Sequence, residues 1–233
     1  MKRPLYSSLI CCLIAISSIS LADDKSLYDF KWLDEGEKVY VIQNKEYVKA
    51  GRIGIDLSLI DSDSSPFQDT TGFVGSLTYY ISETLSLDIT YKQYNNEDSG
   101  DLSNLLNQIG DGVVPIIRKI NTAALVHINW IPFYGKINTF NQIFFFDWGV
   151  GFGVGQFQTE GNWETFDQDV GLKYTTDQDT GFNLRSFAKF YTRNNLTFGI
   201  EYNLTGVDTI KDPQGKSAYL YFADIMASVG YIF

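Results

Sequence analysis

The sequence predicts an all-β protein: an eight-stranded antiparallel transmembrane β-barrel of the up-and-down type. Four observations lead there. Alternation of apolar and polar residues at period two recurs eight times along the chain. Aromatic residues make up 15% of the chain, yet its mean hydropathy is only −0.11. Beyond the N-terminus, no stretch approaches the ~18 apolar residues of a spanning helix. The connections alternate between short and long, as in barrels with short periplasmic turns and long extracellular loops.

The first 22 residues read as a cleaved signal peptide. Lys2 and Arg3 form a basic head, a short apolar run follows, and Ser20-Leu21-Ala22 supplies small residues at cleavage spacing. Both cysteines, Cys11 and Cys12, leave with it, so the mature chain has neither a disulfide nor a thiolate metal site. Losing Lys2 and Arg3 leaves 16 basic residues against 28 acidic ones, a net charge of −12. So acidic a chain is not built to neutralise phosphates, and no nucleic-acid partner is expected. Residues 23–44 read as a polar periplasmic leader and residues 45–233 as one barrel domain.

The first strand sets Ile53, Ile55, Leu57 and Leu59 against Arg52, Gly54, Asp56 and Ser58. The second sets Phe73, Leu77, Tyr79 and Ile81 against Ser76, Thr78 and Tyr80, and the third Leu85, Leu87, Ile89 and Tyr91 against Ser86, Asp88, Thr90 and Lys92. In the fourth, Ala124, Val126, Ile128 and Trp130 alternate with Leu125, His127 and Asn129. The fifth alternates Phe144 to Val154 with Phe145, Asp147 and the glycines 149, 151, 153 and 155. Phe182, Leu184, Ala188 and Phe190 oppose Asn183, Arg185, Phe187 and Lys189 in the sixth. Leu196, Phe198, Ile200, Tyr202 and Leu204 oppose Thr197, Gly199, Glu201 and Asn203 in the seventh. The last runs from Tyr219 to Phe233, against Phe222, Asp224, Met226, Ser228 and Gly230.

A soluble sandwich also alternates, so the charges decide. The polar faces carry both signs, which a closed barrel can pair inside. The expected lumen network is Arg52, Asp56, Asp88, Lys92, His127, Asp147, Arg185, Lys189, Glu201 and Asp224. Arg185 and Lys189 are expected to meet Glu201 and Asp224 from the next two strands. His127, the single histidine, faces inward and is expected to be held by Asp147 or Asp88. The glycine series shares one strand face, so it reads as room for bulky lumen neighbours such as Phe145 or Phe187. A phosphate loop would instead follow a strand and open a helix.

Short connections are expected at Ser82–Thr84 and Thr192–Asn195, with a moderate one from Ile131 to Asn141. Long ones are expected at 61–70, 95–120, 156–180 and 207–217; together they hold fifteen acidic and five basic residues. Hard divalent cations at these acidic loops are therefore possible partners, Asp177-Gln178-Asp179 being the best loop for calcium. Leu102, Leu105, Leu106 and Ile109 have helical spacing and suggest a short helix capping the barrel mouth.

Several segments resemble a family of small Gram-negative outer-membrane β-barrel-domain proteins, mostly of unassigned activity. They are Tyr40–Lys45, Lys49–Arg52, Ser65-Pro66-Phe67, Tyr79-Tyr80 with Glu83, Phe146-Asp147-Trp148 and, most specifically, Asn129–Ile137 with its Trp-x-Pro-x-Tyr-Gly-Lys turn. The resemblance implies residence in the cell outer membrane. Phe233, with Tyr231 at period two, looks like the C-terminal signal read by the barrel-assembly machinery. The expected partners are thus outer-membrane lipid, lipopolysaccharide and that machinery, with no cofactor. The expected function is a non-enzymatic barrel with a side-chain-filled lumen and a structural or interactive role in the envelope. A narrow channel for small solutes is the first alternative, and a lipid-modifying enzyme using His127 the second.

Overall fold

The computed structural model describes residues 45–65, 67–109, 117–139, 142–162, 174–192, 194–211 and 217–233. The expected signal peptide and leader lie outside the described residues, as do parts of the long connections.

Eight antiparallel strands close on themselves in chain order: β1 (Ile53–Ser62), β2 (Gln68–Tyr80), β3 (Leu85–Asp98), β4 (Arg118–Thr139), β5 (Gln142–Gly161), β6 (Thr175–Tyr191), β7 (Leu196–Lys211) and β8 (Ser217–Ile232). Helix α1 (Gly100–Ile109) lies between β3 and β4, where the leucine spacing predicts it, with Leu102 buried. Closure leaves no edge unpaired: β1 holds β2 on one side and β8 on the other, from Gly54↔Ile232 to Ser62↔Asp224. The lateral register runs from Ile53 through Tyr79, Leu87, Ile128, Phe152, Leu184, Leu204 and Ala223. It returns to β1 at Asp63, ten residues further along, and this stagger sets the strand tilt.

The alternation falls as the sequence predicts. Leu57, Phe73, Ile89, Val126, Phe152, Ile200 and Val229 stand exposed on the outside, while Asp56, Asp88, His127, Asp147, Asn203 and Asp224 are buried inside. Such an arrangement is stable only where the outer solvent is apolar.

Two connections differ from expectation. The Trp130–Lys136 motif is not a turn: β4 continues through it to Thr139 and pairs with β5 from Phe133↔Trp148 to Thr139↔Gln142. Pro132 has no N–H to give the ladder, so Ile131 and Pro132 bulge opposite Gly149 without ending the strand. Ile131 turns inward and donates its N–H to Thr84 O at 2.8 Å. The long connections are also shorter than predicted, because β3, β5, β6 and β7 run past the apolar belt as polar strands. Asp177-Gln178-Asp179 is therefore strand and not a calcium loop, and Asp179 accepts a hydrogen bond from Thr159 Oγ1 at 2.5 Å.

The hairpin turns β2–β3, β4–β5 and β6–β7, residues 45–52 and Phe233 share one end, here called the turn end. The β1–β2 connection, α1 and the outer ends of β5–β8 form the loop end.

Candidate functional site: the filled lumen

The lumen consists of three layers. In the middle one, Asp88 sits opposite Thr78 on β2 and His127 on β4, because the register brings all three to one level. Asp88 accepts from Thr78 Oγ1 at 2.6 Å and meets an Arg185 Nη at 3.3 Å. Arg185 Nε donates to Asn129 Oδ1 at 2.8 Å, and Asn129 in turn donates to Ser86 Oγ at 3.0 Å. Arg185 also faces Glu201 at a looser 3.6 Å. His127 is 1% exposed; its Nε2 donates to Asn183 Oδ1 at 3.0 Å, and its Nδ1 lies 3.7 Å from Asp88. Of the two expected carboxylates Asp88 is the one near His127, at 3.7 Å and beyond hydrogen-bond reach, so the ring is held by Asn183, which was not expected.

Glycines make this crowding possible. A Cβ at Gly153 would collide with the His127 imidazole, and one at Gly151 with the Asn129 amide and the Arg185 stem. Phe187 occupies the space over Gly149 in the same way, as expected.

Toward the turn end, Lys189 Nζ donates to Asp56 Oδ2 at 2.8 Å and lies 3.3 Å from Tyr80 Oη. Its partner is therefore Asp56, across the lumen, and not the expected Glu201 on the next strand. Below it, Asp147 takes both the Lys49 ammonium and the Tyr191 hydroxyl. Lys49 belongs to a strap, residues 45–50, that crosses the mouth. Tyr47 stacks on Tyr191 at 5.5 Å and meets Phe145 edge-on at 5.6 Å. Glu83, in the β2–β3 turn, accepts the N–H groups of Lys49 (3.0 Å) and Ala50 (2.9 Å), with Lys45 at 3.4 Å. Burial pushes the Glu83 carboxyl up, but these amide donors and Lys45 outweigh it and hold it below its ordinary value.

Arg52 is a correction. It does not join the lumen network; its guanidinium binds the main-chain oxygens of Phe233 (2.8 Å) and Ile232 (2.9 Å). It precedes the first lateral pair of β1, so it reaches the rim, where the last carbonyls of β8 have no strand partner. Tyr231 and Phe233 point outward there, in edge-on contact at 4.9 Å.

Toward the loop end the lumen is mostly apolar, which the sequence reading missed. Ile60, Val74, Ile120, Leu125, Phe157, Val207, Phe222 and Met226 form one buried cluster. Within the same layer Lys92 Nζ donates to Asp224 Oδ2 at 2.8 Å and Tyr94 Oη to the same oxygen at 3.1 Å. Asp224 therefore pairs with Lys92 rather than with Arg185 or Lys189. The missed cluster was legible as inward parity: Ile60, Val74 and Leu125 share the faces of Asp56, Thr78 and His127.

Between the layers remains a cavity of about 40 Å³, lined by Asp56, Asp88, Arg185, Lys189 and Glu201, with room for a few waters. Among the described residues no three carboxylate, histidine or cysteine side chains lie close enough to hold one metal ion.

An apolar outer band around a charged, hydrogen-bonded interior, closed by a continuous ladder, is the build of an outer-membrane β-barrel, and this chain has that fold. No family model matches the chain, and no curated protein matches it. Among solved structures it is similar to the N-terminal β-barrel domain of Pseudomonas aeruginosa OprF, with a TM-score of 0.43 and 14% identity, covering 79% of this chain and 98% of that one. Neisserial surface protein A gives a TM-score of 0.42 at 12% identity, with 77% and 95% covered. The attachment invasion locus protein Ail of Yersinia pestis gives 0.41 at 11%, with 78% and 97% covered.

Proposed function

We propose that this protein is a non-enzymatic barrel of the Gram-negative outer membrane, a sealed scaffold that holds an acidic loop end at the cell surface in a structural or interactive role. The filled lumen carries this reading. Strap, ion-paired middle and apolar outer layer occupy successive levels of the interior, and the cavity beside Asp56, Asp88 and Arg185 measures about 40 Å³. Eight strands enclose just enough room for side chains. A channel would need a continuous wet path, and the apolar layer around Phe157 and Phe222 interrupts one. The turn end, with its strap, faces the periplasm in this reading, and lipid and lipopolysaccharide surround the outer band. The barrel-assembly machinery would act on β8 and its Tyr231 and Phe233. His127 serves as an interior hydrogen-bonding side chain.

Purified barrel in a planar bilayer is expected to give no conductance steps above the bare membrane; regular openings would overturn the reading in favour of a channel. Cysteine at Asn194 is expected to resist an impermeant label on intact cells while cysteine at Asp101 reacts, and the reverse would invert the topology. A His127→Ala strain with altered envelope lipids would argue instead for a lipid-modifying enzyme.

A further inference from the structure

We propose that the lumen cavity binds one small monovalent cation of sodium size, held by the Glu201 carboxylate and the hydroxyls of Ser58 and Ser228. The site adds a ligand to the sealed-scaffold reading and rests on it only through the closed lumen.

Charge is the first observation. Three carboxylates line the cavity, Asp56, Asp88 and Glu201, against two cations, Arg185 and Lys189, and His127 is not on its wall. Lys189 neutralises Asp56 at 2.8 Å, and Arg185 lies 3.3 Å from Asp88. Glu201 keeps only a 3.6 Å ion pair with the guanidinium that Asp88 already uses, and neither of its oxygens takes a hydrogen bond among the described residues. One negative charge is therefore left over. Lys49 and Lys92 have none to spare, being engaged by Asp147 and Asp224. An uncompensated charge inside a membrane-embedded barrel is costly. On the loop side of Glu201, its lateral neighbour Met226 and Ile60 beside that belong to the buried apolar cluster, so the countercharge has to come from the cavity.

A second observation supplies the rest of the ligand shell. Ser58 lines the cavity, is 7% exposed, and its hydroxyl has no hydrogen-bond partner among the described residues. Since Ser58 faces inward, that free hydroxyl is directed at the lumen. Ser228 is its lateral neighbour, lines the same cavity, and likewise has no side-chain partner among the described residues. A Cβ at Gly199 would fall on the Ser228 hydroxyl, so the glycine makes the space in which that oxygen sits. Gly199 pairs laterally with Ser228 and precedes Glu201 by one inward position of β7, which brings the carboxylate and both hydroxyls to one side of the cavity. Oxygen ligands around a single surplus negative charge suit a hard monovalent cation. About 40 Å³ holds such an ion with a water or two. A divalent ion would overcompensate, and among the described residues no three acidic, histidine or cysteine side chains lie close enough to hold one.

The test refolds the full mature chain from urea into detergent micelles, in sodium chloride or in N-methylglucamine chloride at constant ionic strength. The second cation is too large for the cavity. Wild type is expected to be more stable in sodium, its folding constant rising about tenfold for each tenfold rise in sodium above the dissociation constant, as one bound ion requires. Glu201→Gln, which keeps the shape and removes the charge, is expected to fold without sodium dependence. In Ser58→Ala/Ser228→Ala the dependence is expected to move to roughly ten-fold higher sodium, the loss of two ligand hydroxyls. An equal effect of the two salts, or a sodium dependence unchanged in either variant, would overturn the site. So would a protonated-carboxyl infrared band in wild type that Glu201→Gln lacks, because a proton would then carry the missing charge. Conductance steps in a planar bilayer would sink the sealed-scaffold reading instead, so the two failures are distinguishable.

Discussion

Lys49 and Asp147 form a buried ion pair across the turn-end mouth although 98 residues separate them in the chain. The pair pins the strap: Tyr47 stacks beside it on Tyr191, and Glu83 caps the strap's amides. Removing one partner of such a pair leaves an uncompensated buried charge, a cost of about 3–5 kcal/mol. Lys49→Met is therefore expected to lower the unfolding midpoint in detergent sharply. The double variant Lys49→Met/Asp147→Asn should recover part of the loss. No recovery would mean that the two side chains do not interact in solution.

The middle layer predicts a graded response. Arg185 serves Asp88, Asn129 and Glu201 together, so Arg185→Ala strands Asp88 and should cost about 3–5 kcal/mol. Glu201 is partly exposed and 3.6 Å from its partner, so Glu201→Gln should cost about 1 kcal/mol or less. Lys136→Ala, at an exposed position on β4, should stay within about ±0.5 kcal/mol. Equal midpoints for all three variants would refute the inward register of β6 and β7.

Gly153 and His127 share one space. Gly153→Ala is expected to destabilise the barrel by about 1–3 kcal/mol through overpacking. Removing the ring in Gly153→Ala/His127→Ala should restore part of that loss. Thermal unfolding of the two single variants and the double completes the cycle, and strict additivity would show that the two positions do not touch.

Acid should loosen the strap. The Glu83 carboxyl titrates below its ordinary 4.5 in the fold, so the stability it contributes is present above that pH and is lost as pH falls through the folded value. Protease sensitivity of residues 45–50 should therefore rise as the pH falls below the ordinary 4.5, with barrel strands intact, and Glu83→Gln should show that sensitivity already at neutral pH.

Opening the strap alone should not make a pore. The Lys49→Met barrel is expected to remain non-conducting, because the apolar layer still closes the loop half. Adding Phe157→Ser and Phe222→Ser should admit water and give conductance steps. Steps in Lys49→Met alone would place the seal at the strap.

The sequence by itself determined the wall. Period-two alternation fixes which side chains of each strand share a face, so Leu57 and Ile89 outside, and Asp56 and Asp88 inside, were legible without coordinates. Parity also placed His127 in the lumen and gave the glycine face its meaning. Tertiary structure alone decided who meets whom, because partners in a barrel are set by stagger and by reach across the lumen, and neither is written in a local pattern. Lys189 therefore finds Asp56 and Lys92 finds Asp224, while Arg52 is drawn to the rim carbonyls of Ile232 and Phe233. The same limit hid the bulge at Pro132, which reads as a turn until its partner strand is seen to continue beyond it. It also hid the strap, whose Lys49 has no periodic signal and acquires its role only where closure brings Asp147 and Tyr191 to the mouth.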